Sequence, residues 1–198
     1  MKSLACYIVA CFALSFCLSA TQFRVVAQNS GVLSRRPPVL KIFDPDNNET
    51  TISAMLVDPQ SGDLRAMIGL DPDHPPPDIR LNTVEYNYPG TTPSRPQVVA
   101  FVLLPLDKYK TPPNFSIAAD GTILHEGEAT LRELCCVKIN GRTDNPQHIV
   151  LSVPLDIFER LTQAKKIELK VTSKRGKYSF KLNDYQKKSL AALLSTIK

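Results

Sequence analysis

Three successive apolar runs close on the same dipeptide. "VLKIF" (39–43) ends in Asp44-Pro45, "TISAMLV" (51–57) in Asp58-Pro59 and "LRAMIGL" (64–70) in Asp71-Pro72. The stop has a local cause. The residue before proline is pushed to extended geometry, proline has no N–H for a ladder, and Asp bonds its own backbone. Runs this short, recurring at strand-plus-turn spacing, predict strands rather than helices. Sixteen prolines against eight glycines fit many short strands joined by stiff turns.

Further strands are predicted over 79–88, 97–106, 115–126, 129–139 and 148–153. In the first, alternation puts Leu81, Thr83 and Glu85 on one side and Asn82, Val84 and Tyr86 on the other. "QVVAFVLLPL" (97–106) reads as a central strand buried on both faces. Asp120-Gly121 supplies the positive φ of a tight hairpin turn.

After residue 153 the period changes. Ile157, Leu161 and Ala164 stand at helical spacing, with Pro154 at the start, Asp156 in the first turn, and Lys165 and Lys166 at the helix's negative end. "IELKVTSKRGKYSFKL" predicts a hairpin with Ile167, Leu169, Val171, Tyr178, Phe180 and Leu182 inward and Lys170, Lys177 and Lys181 outward. The final helix is announced by Asn183 and Gln186 as a capping box, with Leu190, Leu193, Leu194 and Ile197 as its apolar stripe. The expected fold is mainly β: an antiparallel, immunoglobulin-like β-sandwich over 38–153 with a helix–hairpin–helix extension over 154–198, together one domain. The cysteine pair and tryptophan of antibody domains are missing, so the likeness is architectural.

The N-terminus has the layout of a secretory signal. Lys2 precedes an apolar run from Leu4 to Ala20, and Val25–Ala27 places small or β-branched residues before a cut at Gln28. This gives a signal over 1–27 and a flexible lead-in over 28–37. The run is slightly long for a signal, so retention as an anchor stays an alternative to cleavage, although it falls just short of the ~20 residues of a span. "IVAC" (8–11) matches a lipoprotein box but sits too early in the apolar core. The expected address is periplasmic or extracellular, with no transmembrane span after cleavage.

Export leaves Cys135 and Cys136 as the cysteines of the mature chain. In a strand their sulfurs diverge. They read as core or half-exposed apolar residues, with a vicinal or an intermolecular disulfide as alternatives. Metal binding lacks further ligands nearby, and no cofactor motif is found. His74, His125 and His148 are scattered, outside any HExxH motif. The acidic stretches at 44–49 and 71–78 read as turns before calcium sites. Asn48 and Asn114 head N-x-[ST] sequons, which matter only in a eukaryotic secretory route.

Charge is uneven: residues 28–150 carry a net −4 and residues 151–198 a net +7. Lys170, Lys174, Arg175, Lys177 and Lys181 form a possible anion-facing surface toward envelope lipid or an acidic polymer. Nucleic acid is not expected, because Tyr178 and Phe180 face inward and make no stacking platform.

"VPLDIFERLTQAKKIELKV", a hairpin, "FKL" and a leucine-rich helix resemble the ending of exported bacterial proteins of unassigned function. The resemblance implies an envelope address and transfers no site residues. The expected function is a non-catalytic binding module, using sheet faces and the loops at one end, with a protein or envelope polymer as partner. The alternative is a hydrolase or carbohydrate-active enzyme on a β scaffold, with Asp71, Asp73 and Glu126 converging.

Overall fold

A computed structural model describes residues 39–57, 78–92, 98–133, 137–139, 142–144 and 146–198. It is mainly β, with two larger antiparallel sheets and two helices. In chain order the strands are β1 (Val39–Asp44), β2 (Glu49–Met55), β3 (Ile79–Pro89), β4 (Val98–Pro105), β5 (Asn114–Ala119), β6 (Thr122–Glu128), β7 (Thr130–Glu133), β8 (Val137–Ile139), β9 (Arg142–Asp144) and β10 (Gln147–Pro154). Helix α1 (Leu155–Gln163), strands β11 (Ile167–Ser173) and β12 (Gly176–Lys181), and helix α2 (Asp184–Ile197) complete the described chain.

The six-stranded sheet has the order β1-β2-β3-β4-β10-β7 and the four-stranded sheet β12-β11-β5-β6, while β8 and β9 pair with each other. The segment 129–139, expected as one strand, is therefore divided between β7 at a sheet edge and β8 in a separate hairpin. Cys135 and Cys136 lie outside the described residues, as does the run 64–70.

Alternation in β3 breaks where the sequence could not show it. Leu81, Val84, Tyr86 and Tyr88 are all buried on one face, although simple alternation sets Leu81 against Val84. A bulge between Leu81 and Thr83 is the cause. One extra residue flips the phase of everything after it. Asn82 sits at the bulge, and its carbonyl accepts the Leu56 N–H at 2.8 Å. Strand β4 is central, but its burial on both faces holds only in part: Val102 is buried, whereas Val98 is 46 % exposed.

One core joins both sheets and both helices. Strands β2, β3, β4 and β10 contribute Ala54, Val84, Phe101 and Leu151, the smaller sheet Ile117, Leu169 and Val171. Helix α1 packs on β4 and β10, and α2 on β1, β2 and β3. The buried residues of α1 are Phe158 and Leu161, so Phe158 carries the face that the spacing assigned to Ile157. Its ring meets Phe101 at 6.1 Å between centroids. Burying such a side chain contributes about 2–3 kcal/mol.

Helix α2 starts as the sequence specifies. Asn183 Oδ1 accepts the Gln186 N–H at 2.9 Å, and Gln186 Oε1 accepts the Asn183 N–H at 3.0 Å. The same Gln186 donates from Nε2 to Leu56 O, and buried Ser189 donates from Oγ to Met55 O at 2.7 Å, tying the helix to the end of β2. The expected hairpin turn also forms, with φ +50° at Asp120 and +87° at Gly121. Asp120 does more than turn: its carboxylate accepts the N–H of Lys166 at 2.8 Å and of Lys165 at 3.3 Å. Those lysines, expected to complement the end of α1, are thus held by their backbone to the β5–β6 turn. Strand β11 then pairs with β5, so the C-terminal hairpin supplies half of the four-stranded sheet.

Candidate functional site

Four distant parts of the chain meet where the two sheets come together at one end. Asp78 immediately precedes β3, and its carbonyl accepts the Leu106 N–H at 2.7 Å, just beyond β4. The chain then turns through Asp107 and Lys108 to Tyr109, which is buried. A side-chain amide fixes Tyr109 in place. Gln147, the first residue of β10 and itself buried, accepts the Tyr109 N–H through Oε1 at 2.6 Å and donates through Nε2 to the Tyr109 carbonyl at 3.1 Å. Both backbone groups of a buried loop residue are satisfied by one amide, which spares their desolvation cost.

The β11–β12 turn closes the site from the smaller sheet. Arg175 Nη2 donates to Lys108 O at 2.7 Å, Nη1 donates to Asp107 O at 3.4 Å, and the guanidinium carbon lies 4.7 Å from the centre of the Tyr109 ring. The ion pair with the Asp107 carboxylate, at 3.7 Å, joins two well-exposed groups and adds little. Hydrogen bonding to carbonyls and stacking on an aromatic face are what a planar guanidinium does well. Tyr178, on β12, donates to Asp78 Oδ2 at 3.3 Å. The Tyr109 phenol beside it, then burial and the Asp78 carboxylate, push the Tyr178 hydroxyl up to about 12. Tyr109 Oη is itself buried and lies close to Tyr178 without a formed hydrogen bond among the described residues. These side chains, with Leu106, line a cleft of about 160 Å³.

All five cationic residues expected on one surface are exposed, but one of them points elsewhere. Lys170, Lys177 and Lys181 project from the outer face of the four-stranded sheet, and Lys174 stands at the turn. Arg175 turns away onto the β4–β5 loop. The face is also not uniformly basic. Glu168 pairs with Lys170 at 3.2 Å and accepts from Ser179 at 2.7 Å, and these contacts, Ser179 first, hold its carboxyl below the usual range. The register then places Ser116 beside Lys170 and Glu126 beside Ser116, and likewise Asn114 beside Thr172 and Glu128 beside Asn114. Acids on β6 therefore share the face with lysines on β11 and β12.

The remaining candidates have structural partners. His125 Nε2 lies 3.1 Å from Ser152 O, and its ring meets Phe115 at 5.6 Å. His148 pairs across the ladder with Arg132, and burial first, then that cation, lowers its pKa. Half-buried Glu85 is shifted up, mainly by burial, against a 2.8 Å hydrogen bond from Thr83. Both oxygens of Asp44 are occupied within its turn, by Asp46 N and Asn47 N on one and Asn47 Nδ2 on the other. Among the described residues, no three His, Cys, Asp or Glu side chains gather as metal ligands. Asp71, Asp73 and His74 lie outside the described residues, and Glu126 is exposed on β6. Asn48, φ +49°, and Asn114 are both exposed.

Sequence reasoning missed Asp107, Tyr109 and Gln147, and took Asp78 only as the end of an acidic turn. "DKYK" (107–110) reads as an ordinary polar turn, and Gln147 follows a stretch of turn residues. Nothing local announces that the two meet. No protein-family model, curated protein or solved structure matches the chain.

Proposed function

We propose that the protein is an exported, non-catalytic binding module that holds its partner at the loop end where the two sheets meet. The observation that carries this reading is the cleft between Asp78, Leu106, Asp107, Tyr109, Arg175 and Tyr178. It gathers polar side chains from three chain segments, and its walls are pinned by buried or multiply bonded anchors, Gln147 and Arg175. A preformed concave site with a few converging polar groups is what small-ligand recognition uses. The paired sheets support the two-layer architecture of an immunoglobulin-like sandwich. Its topology is not part of the proposal, because β1 to β4 run as a meander rather than a Greek key. The basic start, apolar run and small-residue exit support export to the envelope or beyond, with Gln28 as the first mature residue.

The test is a nuclear magnetic resonance screen of the protein, with tyrosine rings and arginine side chains labelled, against saccharides, amines, carboxylates and short peptides. The reading expects one class to move the Tyr109, Tyr178 and Arg175 signals and to lose that effect in Arg175→Ala. Shifts confined to other surfaces would overturn it. Export is tested separately by N-terminal sequencing of the chain recovered from outside the cytoplasm. A chain found only inside the cell and starting at Met1 counts against it.

A further inference from the structure

Resting on that reading of the cleft, we infer that its ligand is a neutral, hydroxyl-rich molecule: a single sugar unit, free or terminal on a polymer. The hydrogen-bonding inventory decides between ligand classes. Asp78 and Asp107 offer only acceptors. Arg175 offers only donors, and Lys108 O and Asp107 O take part of its fork. Tyr178, on the cleft wall, has a hydroxyl that donates to Asp78 Oδ2 and can still accept.

An ammonium ligand would satisfy the two carboxylates but face the guanidinium with like charge. An anion would satisfy Arg175 but face Asp78 and Asp107. A hydroxyl both donates and accepts, so a polyol suits all three kinds of group without setting like charges together.

Size and shape agree. The volume of about 160 Å³ is well below the ~300–1,000 Å³ of sites for drug-sized ligands. One ring-sized unit is the natural occupant. Leu106, 55 % exposed at the cleft, offers an apolar surface to the C–H face of such a ring.

The experiment titrates the labelled full-length protein with glucose, N-acetylglucosamine, myo-inositol and a soluble neutral hexasaccharide. Butylammonium and acetate are the charged controls. The expected result is a concentration-dependent shift of the Tyr109, Tyr178 and Arg175 signals with neutral probes only. Tyr178→Phe and Asp78→Ala, their folding checked by thermal melting, should each weaken binding about threefold or more, the worth of one hydrogen bond. A hexasaccharide that binds at least several-fold tighter than glucose identifies a polymer end as the source; equal affinity identifies the free unit. Shifts at the cleft with butylammonium or acetate but not with sugars overturn the ligand class and leave the binding-module reading standing. Sugar binding unchanged in both variants overturns the placement at this cleft. No shift with any probe class overturns both.

Discussion

Gln147 offers the sharpest test of how the loop end is built. Its carboxamide satisfies the N–H and C=O of Tyr109 at 2.6 and 3.1 Å, and both residues are buried. Gln147→Ala removes both partners and leaves two backbone groups facing a hole. Each orphaned buried group costs about 1–3 kcal/mol, and water entering the gap recovers part of it. The expected loss is about 2–4 kcal/mol, a large fraction of the ~5–15 kcal/mol that holds an ordinary domain together. Urea unfolding followed by circular dichroism measures it as a lower midpoint at unchanged slope. Gln147→Glu separates the two bonds. It keeps the acceptor for the Tyr109 N–H and turns the donor into a carboxylate facing a carbonyl. Protonation restores that donor, so the folded state raises the new carboxyl's pKa above its unfolded value. The restored stability is present below the unfolded carboxyl pKa and is lost as pH rises through the raised one. A loss below ~1 kcal/mol in Gln147→Ala, with no pH dependence in Gln147→Glu, would refute the reasoning.

Three further outcomes follow from the same contacts. Phe158→Ala should cost about 3–5 kcal/mol, read as a lower melting temperature, because its ring is fully buried against Phe101. Gly121→Ala should cost roughly 1 kcal/mol by urea unfolding: its φ of +87° is strained for alanine, while nothing lies within 4 Å of the added methyl. Tyr178 should ionise near 12 in an ultraviolet titration, against 10.0 for an ordinary tyrosine, and Asp78→Asn should bring it down. Its folded pKa is the higher one, so its contribution to stability is complete below pH ~10 and is lost as pH climbs toward 12; a Tyr178 that ionises at 10 removes the claimed contact with Tyr109 and Asp78.

Much of the fold was legible because it rests on neighbours in sequence. The tight turn at Asp120-Gly121, the capping box of Asn183 and Gln186, and the alternation of Ile167, Leu169 and Val171 each follow from a few adjacent residues. The site was hardly legible. Arg175 was read as one of five cations on a single surface because its neighbours are lysines, yet it lies over Tyr109 and bonds to Lys108 O. The bulge in β3 escaped notice for a similar reason: its phase change is set by pairing with β2 and β4, not by the composition of 79–88.

By itself, then, the sequence determined the strand-rich class, the turns and caps, the inward faces of β11 and β12, and the start of the last helix. All of these depend on short-range sterics and on which side chains avoid water. The tertiary structure alone decided that the C-terminal hairpin joins β5, that Glu126 and Glu128 share a face with the lysines, and that Asp78, Tyr109, Gln147 and Arg175 meet. Those encounters depend on which strands become neighbours after the chain has doubled back. That order is settled by the packing of the whole core, and no local stretch of residues records it.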